Sequence, residues 1–183
     1  MERQSPKLNI VLTRKHATDL RTTWHTVYSI RGLLMPNSLM PTQWVPPPEN
    51  KLKCNVDAAL FVDGAGFAAV IRDHNGSFVA AKKGRLGSER DPYVAEALAV
   101  SATLTWLKEQ NFNNILLESD CLNLCNAFIS GSVDFSYVGL IVKQCQSIAK
   151  DIESISVSHV KRSANCVAHE LARATGSMSG SEV

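Results

Sequence analysis

The chain has 183 residues, 45% of them hydrophobic and 20% charged, with a formal net charge of +2. That is enough for one globular domain plus an appendage, and the charge is too balanced to argue for a dedicated nucleic-acid binder, which shows a clustered basic surface. No apolar run reaches the length of a membrane span, and the N-terminal MERQSPKLNI lacks a signal peptide's apolar core. Its Arg and Lys residues are compatible with an organellar leader, whereas Glu2 and Asp19 are atypical of one. The five cysteines (Cys54, Cys121, Cys125, Cys145, Cys166) are odd in number and form no CxxC pair. They predict reduced thiols in an intracellular protein, nuclear or cytoplasmic, rather than disulfides or a zinc site.

Residues 1–35 carry scattered apolar side chains, with one candidate helix in WHTVYSIRGLLM, and read as a tail too short for a domain. Five of the seven prolines fall between Pro36 and Pro48, so residues 36–50 read as a stiff, extended linker. The pattern then becomes regular. KCNVDAAL reads as a first strand whose alternation puts Lys53, Asn55, Asp57 and Ala59 on one face and Cys54, Val56, Ala58 and Leu60 on the other. FAAVIRD and SFVAAKKG are the second and third strands. Asn75-Gly76 between them predicts a type I′ hairpin.

Asp91-Pro92 predicts a helix start, with Asp as cap and Pro in the first turn. Ala95, Leu98, Ala99, Ala102 and Trp106 follow at helical spacing as its buried stripe. NILLES is a short apolar strand, read as buried and parallel. CLNLCNAFI and YVGLIVKQCQSIAK are helices, SISVSHV is a fifth strand, and SANCVAHELARATG is a last helix with Ser163 as cap and Gly176 as stop. The order β-β-β-α-β-α-α-β-α predicts an α/β fold, a mixed sheet with helices packed on it. The ordered domain is expected over residues 51–176, with 177–183 a flexible tail.

Three acids stand at telling places. Asp57 lies inside a strand, where Asp is depleted. Glu96 sits one turn into the first helix, and Asp120 follows the fourth strand. Each has an ordinary explanation: a solvent-facing strand residue, a carboxylate favoured near a helix N-terminus, and a helix cap. If the first and fourth strands are neighbours under the first helix, however, all three converge on one rim. Carboxylates that close raise one another's pKa unless a cation sits between them, and an oxygen-only cluster suits hard divalent ions such as Mg²⁺.

The stretches KCNVDAAL, GFAAVIRDHNG, AEALAV, ILLESD and SHVKRSANCVAHELAR, in this order, resemble a type 1 ribonuclease H domain. More narrowly they resemble the plant group related to the ribonuclease H of non-LTR retroelements. The likeness covers roughly residues 51–175 and reaches back to Trp44, Pro46 and Pro47. It implies a five-stranded mixed sheet with helices on both faces. It also implies a nuclease that cuts the RNA strand of RNA–DNA hybrids with two Mg²⁺ ions about 4 Å apart. The family's metal carboxylates match Asp57, Glu96 and Asp120, and its assisting histidine matches His159. The fourth acid of the family is replaced by His169. Imidazole is a poor ligand for Mg²⁺ and a better one for Mn²⁺, so one ion is expected to bind more weakly.

The resemblance further implies hybrid contacts from the backbone at Ala58 and Ala59 and from the Asn123 side chain, reading 2′-hydroxyls across a shallow minor groove. Lys82, Lys83 and Arg85, with Lys161 and Arg162, are candidate phosphate contacts, or an ordinary solvated face. Asn165, one turn before His169, is expected to line the site with it. The loop GSVDFSYVGL offers no Lys or Arg, so the basic handle of some relatives is missing, and binding is expected to be modest and salt-sensitive. A monomer is expected. Two rival readings stay open: a nucleic-acid-binding module without useful cleavage, motivated by His169, and a retroelement-derived protein-interaction domain, motivated by the tail and linker.

Overall fold

The computed structural model describes residues 41–130 and 134–176. The expected tail at 1–35, the first part of the linker, residues 131–133 and the expected tail at 177–183 lie outside the described residues. The described elements run β1 (Leu52–Phe61), β2 (Gly64–Arg72), β3 (Phe78–Arg85), α1 (Pro92–Glu109), β4 (Ile115–Ser119), α2 (Leu122–Ser130), α3 (Tyr137–Lys150), β5 (Ile155–His159), a 3₁₀ turn (Arg162–Ala164) and α4 (Cys166–Arg173). The five strands form one sheet in the order β3-β2-β1-β4-β5. β1 pairs antiparallel to β2 and parallel to β4, as expected of a meander followed by crossovers.

The alternation read from β1 separates the two faces. Cys54 and Val56 join Ile71, Val100, Leu104, Leu117 and Cys145 in the main core, under α1, α2 and α3. On the opposite face Ala59 and Ala68 pack with Ala172 of α4. Among the described residues, helices therefore lie on both faces, with only α4 on the second. Of the five cysteines, all free, Cys54, Cys125 and Cys145 are buried, as thiols filling core space would be.

α1 starts as expected. Pro92 is in its first turn, and Asp91 accepts hydrogen bonds from the Tyr93 and Val94 amides at 2.8 and 3.1 Å. It ends with Asn111 at φ 56°, where the Phe112 amide donates back to Leu107 at 2.9 Å and the Phe112 ring meets Trp106 edge-on. Its buried side is broader than the expected stripe: Val94, Ala97, Val100, Leu104 and Leu107 are buried, while Leu98 and Ala102 are only partly so. α1 is wedged between the sheet and α3, so a single amphipathic stripe does not describe it.

Two local expectations are corrected. The β2–β3 hairpin is not type I′, because Asn75 is not at positive φ and only Gly76 is, at 79°. Instead the Gly76 amide donates to Asp73 O at 3.0 Å, and the Asp73 carboxylate takes the Asn75 and Ser77 amides, leaving glycine the one left-handed position. Nor does Ser163 cap the last helix. The chain makes a 3₁₀ turn over Arg162–Ala164, and α4 begins at Cys166 with Asn165 at its cap position. The Asn165 side chain is spent elsewhere, donating to the Val56 carbonyl of β1 at 2.9 Å.

The stretch before β1, assigned to the linker, is packed at its end. Pro47 is buried, and the Trp44 indole N–H donates to Asn55 of β1 at 2.8 Å. It covers part of the sheet face that α4 leaves bare.

Candidate active site

The site forms where β1 and β4 part. Their pairing ends at Asn55 opposite Glu118, while β4 stays paired to β5 through Ser119 and His159. Asp57 lies two residues past the last β1–β4 pair, and Asp120 is the first residue after β4. Sites in sheet-and-helix folds gather at such carboxyl ends. Glu96 reaches the same rim from α1. The three side chains offer oxygens that all lie within 4.8 Å of one another.

Their environment makes charge expensive. Asp57 is fully buried, and burial, reinforced by Asp120, pushes its carboxyl up to about 7 despite the opposing His169. Glu96 is pushed up to about 8 by burial and then by Asp57 and Asp120, while the Ala58 amide and Arg162 oppose the rise. One Glu96 oxygen, Oε2, is buried with no hydrogen-bond partner. An unpaired buried acceptor within a knot of carboxylates is what a hard divalent cation would satisfy. The donor set is one that could hold a hard divalent cation, with Asp57, Glu96 and Asp120 each offering a carboxylate oxygen.

His169 of α4 arrives at Asp57 rather than joining the three mutually close carboxylates: its Nδ1 lies 2.8 Å from Asp57 Oδ2. Asn165, fully buried, adds a longer contact of 3.4 Å to Asp57 Oδ1 and ties that carboxylate to its own strand through Val56. Arg162, a candidate phosphate contact, also reaches the acids while its side chain stays largely exposed. Its Nη1 meets Asp120 Oδ2 at 3.1 Å, and its Nη2 is within 3.0 Å of both His169 ring nitrogens. Sequence reasoning missed this placement, because Arg162 lies on the 3₁₀ turn before α4 and helical spacing from His169 does not apply to it.

His159 closes β5 beside Ser119, next to Asp120. Burial lowers its pKa, against the pull of Asp120, and its Nδ1 is buried without a partner. The remaining candidates are dispersed. Ala58 is half-buried, and Ala59 is packed beneath α4. Asn123 is exposed on α2. Lys83 shares a row with Ala68 and Asp57 on the α4 face, whereas Lys82 shares one with Ala69 and Val56 on the other, so the two lysines point to opposite sides. Arg85 pairs with Asp63 at 2.9 Å, and Lys161 is half-buried beside the 3₁₀ turn.

Comparison with curated proteins returns no match. Among solved structures, the ribonuclease H1 of the archaeon Halobacterium salinarum superposes with a TM-score of 0.64 at 19% identity, covering 70% of this chain and 99% of that one. The N-terminal ribonuclease H domain of a Mycobacterium tuberculosis protein, solved as a fusion with maltose-binding protein, gives 0.62 at 21%, covering 72% and 99%. A ribonuclease H1 isolated from compost by metagenomics, solved in complex with an RNA/DNA hybrid, gives 0.63 at 18%, covering 72% and 100%. The β3-β2-β1-β4-β5 sheet is thus a ribonuclease H-like fold. The family described as reverse transcriptase-like matches residues 55–175, from the strand that carries Asp57 to the end of α4, and the chain belongs to that family.

Proposed function

We propose that the chain is a metal-dependent endonuclease that hydrolyses the RNA strand of RNA–DNA hybrids. The observation that carries this reading is the convergence of Asp57, Glu96 and Asp120 within 4.8 Å at the strand ends. The ribonuclease H1 relative bound to a hybrid supports the substrate class. Asp57, Glu96 and Asp120 would hold two Mg²⁺ ions, which when bound supply an activated water and neutralise charge at the leaving 3′-oxygen.

The chain's own residues do the rest. Asp57 is held in place from two sides, by Asn165 and by His169. His159, kept neutral near pH 7 by its lowered pKa, offers a ring nitrogen for proton transfer beside Asp120. Lys83, in the Asp57 row two strands away, and Arg162 are the cations best placed for backbone phosphates. RNA is preferred through its 2′-hydroxyls, and His169, bonded to Asp57 where the family has a fourth acid, leaves the site one carboxylate short and weakens Mg²⁺ binding.

A second reading, hybrid binding without useful cleavage, is favoured by the Arg162 guanidinium, which already neutralises part of Asp120. One experiment separates the two: cleavage of a labelled RNA–DNA hybrid in Mg²⁺ and in Mn²⁺, by the wild type and by Asp57→Asn. Cleavage that Asp57→Asn abolishes supports the nuclease. Binding without cleavage in either metal, by folded protein, leaves the second reading standing.

A further inference from the structure

On the α4 face, just upstream of the acids, lies a buried polar cluster that hydrolysis does not use. Asn55, with no exposed surface, donates from Nδ2 to Glu118 Oε2 at 2.9 Å, across the last β1–β4 pair. Its Oδ1 accepts from Trp44 Nε1 at 2.8 Å and from Arg72 Nη2 at 3.2 Å. The other Glu118 oxygen pairs with Lys53 Nζ at 2.6 Å, and Lys53 also donates to the Val45 carbonyl at 2.7 Å. The Arg72 guanidinium lies 3.7 Å from the Trp44 ring centroid.

Burying Lys53 and Glu118, each 7% exposed, is costly even when paired, and apolar residues of similar size would serve stability as well or better. The position of the pair suggests a different use. Asn55 is two residues before Asp57 and so on the same face of β1, and it pairs across to Glu118, two residues before Asp120. The Asn55–Glu118 bond is the last cross-link before β1 and β4 diverge.

We infer that this clamp sets the separation of the metal carboxylates. It follows that the stretch from Trp44 to Pro48 is a supporting part of the metal site, because Trp44 and Val45 complete the hydrogen bonds of Asn55 and Lys53. The inference rests on the metal-nuclease reading. Asn55 and Glu118 are positioning residues, acting through the spacing of Asp57 and Asp120.

The test is Mn²⁺ affinity of the full chain by calorimetry, for the wild type, Asp57→Asn, Trp44→Phe and two double variants. Lys53→Met with Glu118→Gln removes both charges but keeps an acceptor for Asn55. Lys53→Met with Glu118→Met removes the charges and the bridge. The expected result is a loss of about tenfold for the Met variant, the scale of losing a supporting hydrogen bond around a metal site, with the Gln variant close to wild type. Equal affinities for the two doubles overturn the inference, since a purely structural or purely electrostatic role treats them alike. Should the doubles fail to fold, Trp44→Phe decides. It keeps the ring over Arg72 but loses one hydrogen bond, so an affinity lower by about threefold is expected, and an unchanged affinity overturns the inference. Absence of Asp57-dependent Mn²⁺ binding in the wild type overturns the metal reading itself and the clamp with it.

Discussion

Replacing Asp57 with Asn should stabilise the metal-free protein at pH 8 while removing its response to metal. The Asp57 carboxyl, ordinarily titrating at 3.8, is raised to about 7 by burial first and by Asp120. A raised carboxyl pKa means that the folded state holds a proton which the unfolded state has released. Stability therefore falls as pH climbs from the unfolded to the folded pKa, and the full penalty is present above about 7. A shift of this size is worth about 4 kcal/mol at most at ~1.36 kcal/mol per unit. Coupling to Glu96 and Asp120 spreads that penalty over several groups, so about 1–3 kcal/mol is expected for this one substitution.

In a domain of this size that is a rise of roughly 3–10 °C in melting temperature at pH 8. At pH 5, part-way between the unfolded value of 3.8 and the folded value of about 7, roughly a third of the difference should remain, and it should vanish only below the unfolded value. The assay is thermal unfolding with chelator at both pH values, repeated with Mg²⁺ or Mn²⁺. The wild type should gain stability from metal at pH 8 by mass action, and Asp57→Asn should gain little. A melting temperature for Asp57→Asn below wild type at pH 8 in chelator would refute the crowded, desolvated cluster on which the site assignment stands.

Other substitutions probe the same geometry. His169→Asp adds a fourth carboxylate beside Asp57, so the metal-free protein should melt lower at pH 8 and the Mg²⁺ concentration giving half-maximal cleavage should fall by about tenfold. Arg162→Gln removes the guanidinium that meets Asp120 at 3.1 Å. Calorimetry should then show tighter Mn²⁺ binding, while hybrid binding weakens and loses about one unit of its salt slope. Asp91→Ala deletes the carboxylate that takes two amides at the start of α1. It should lower stability by about 1 kcal/mol in urea unfolding without changing metal affinity, because the cap is an end effect on the helix and Glu96 is still presented from the following turn.

Much of this protein is legible in the order of its amino acids. Period-two alternation in KCNVDAAL assigns opposite faces to Asp57 and Val56, and Asp91-Pro92 marks the start of α1, because both signals depend on neighbours along the chain. The three acids are recognisable for the same reason: an Asp inside a strand contradicts local propensity, and such contradictions flag function. What local rules do not supply are features set by partners distant in sequence. α1 is buried on more than one side because it lies between the sheet and α3. Asn165 is drawn from its own helix to a carbonyl of β1, 109 positions away. Asn75 avoids positive φ because the Asp73 side chain offers the turn a better set of hydrogen bonds.

The clearest division falls at the site itself. The residue types and their chemistry, three carboxylates and two histidines, are written in the chain. Tertiary structure decided that β1 and β4 separate after Asn55 and Glu118, that Arg162 reaches Asp120 from the surface, and that His169 meets Asp57 rather than the whole cluster. It also decided that Trp44 belongs to the sheet. Composition showed a proline-rich spacer there, but the hydrogen bond that holds the indole is made across strands, and it exists only once β1, β2 and β4 lie side by side.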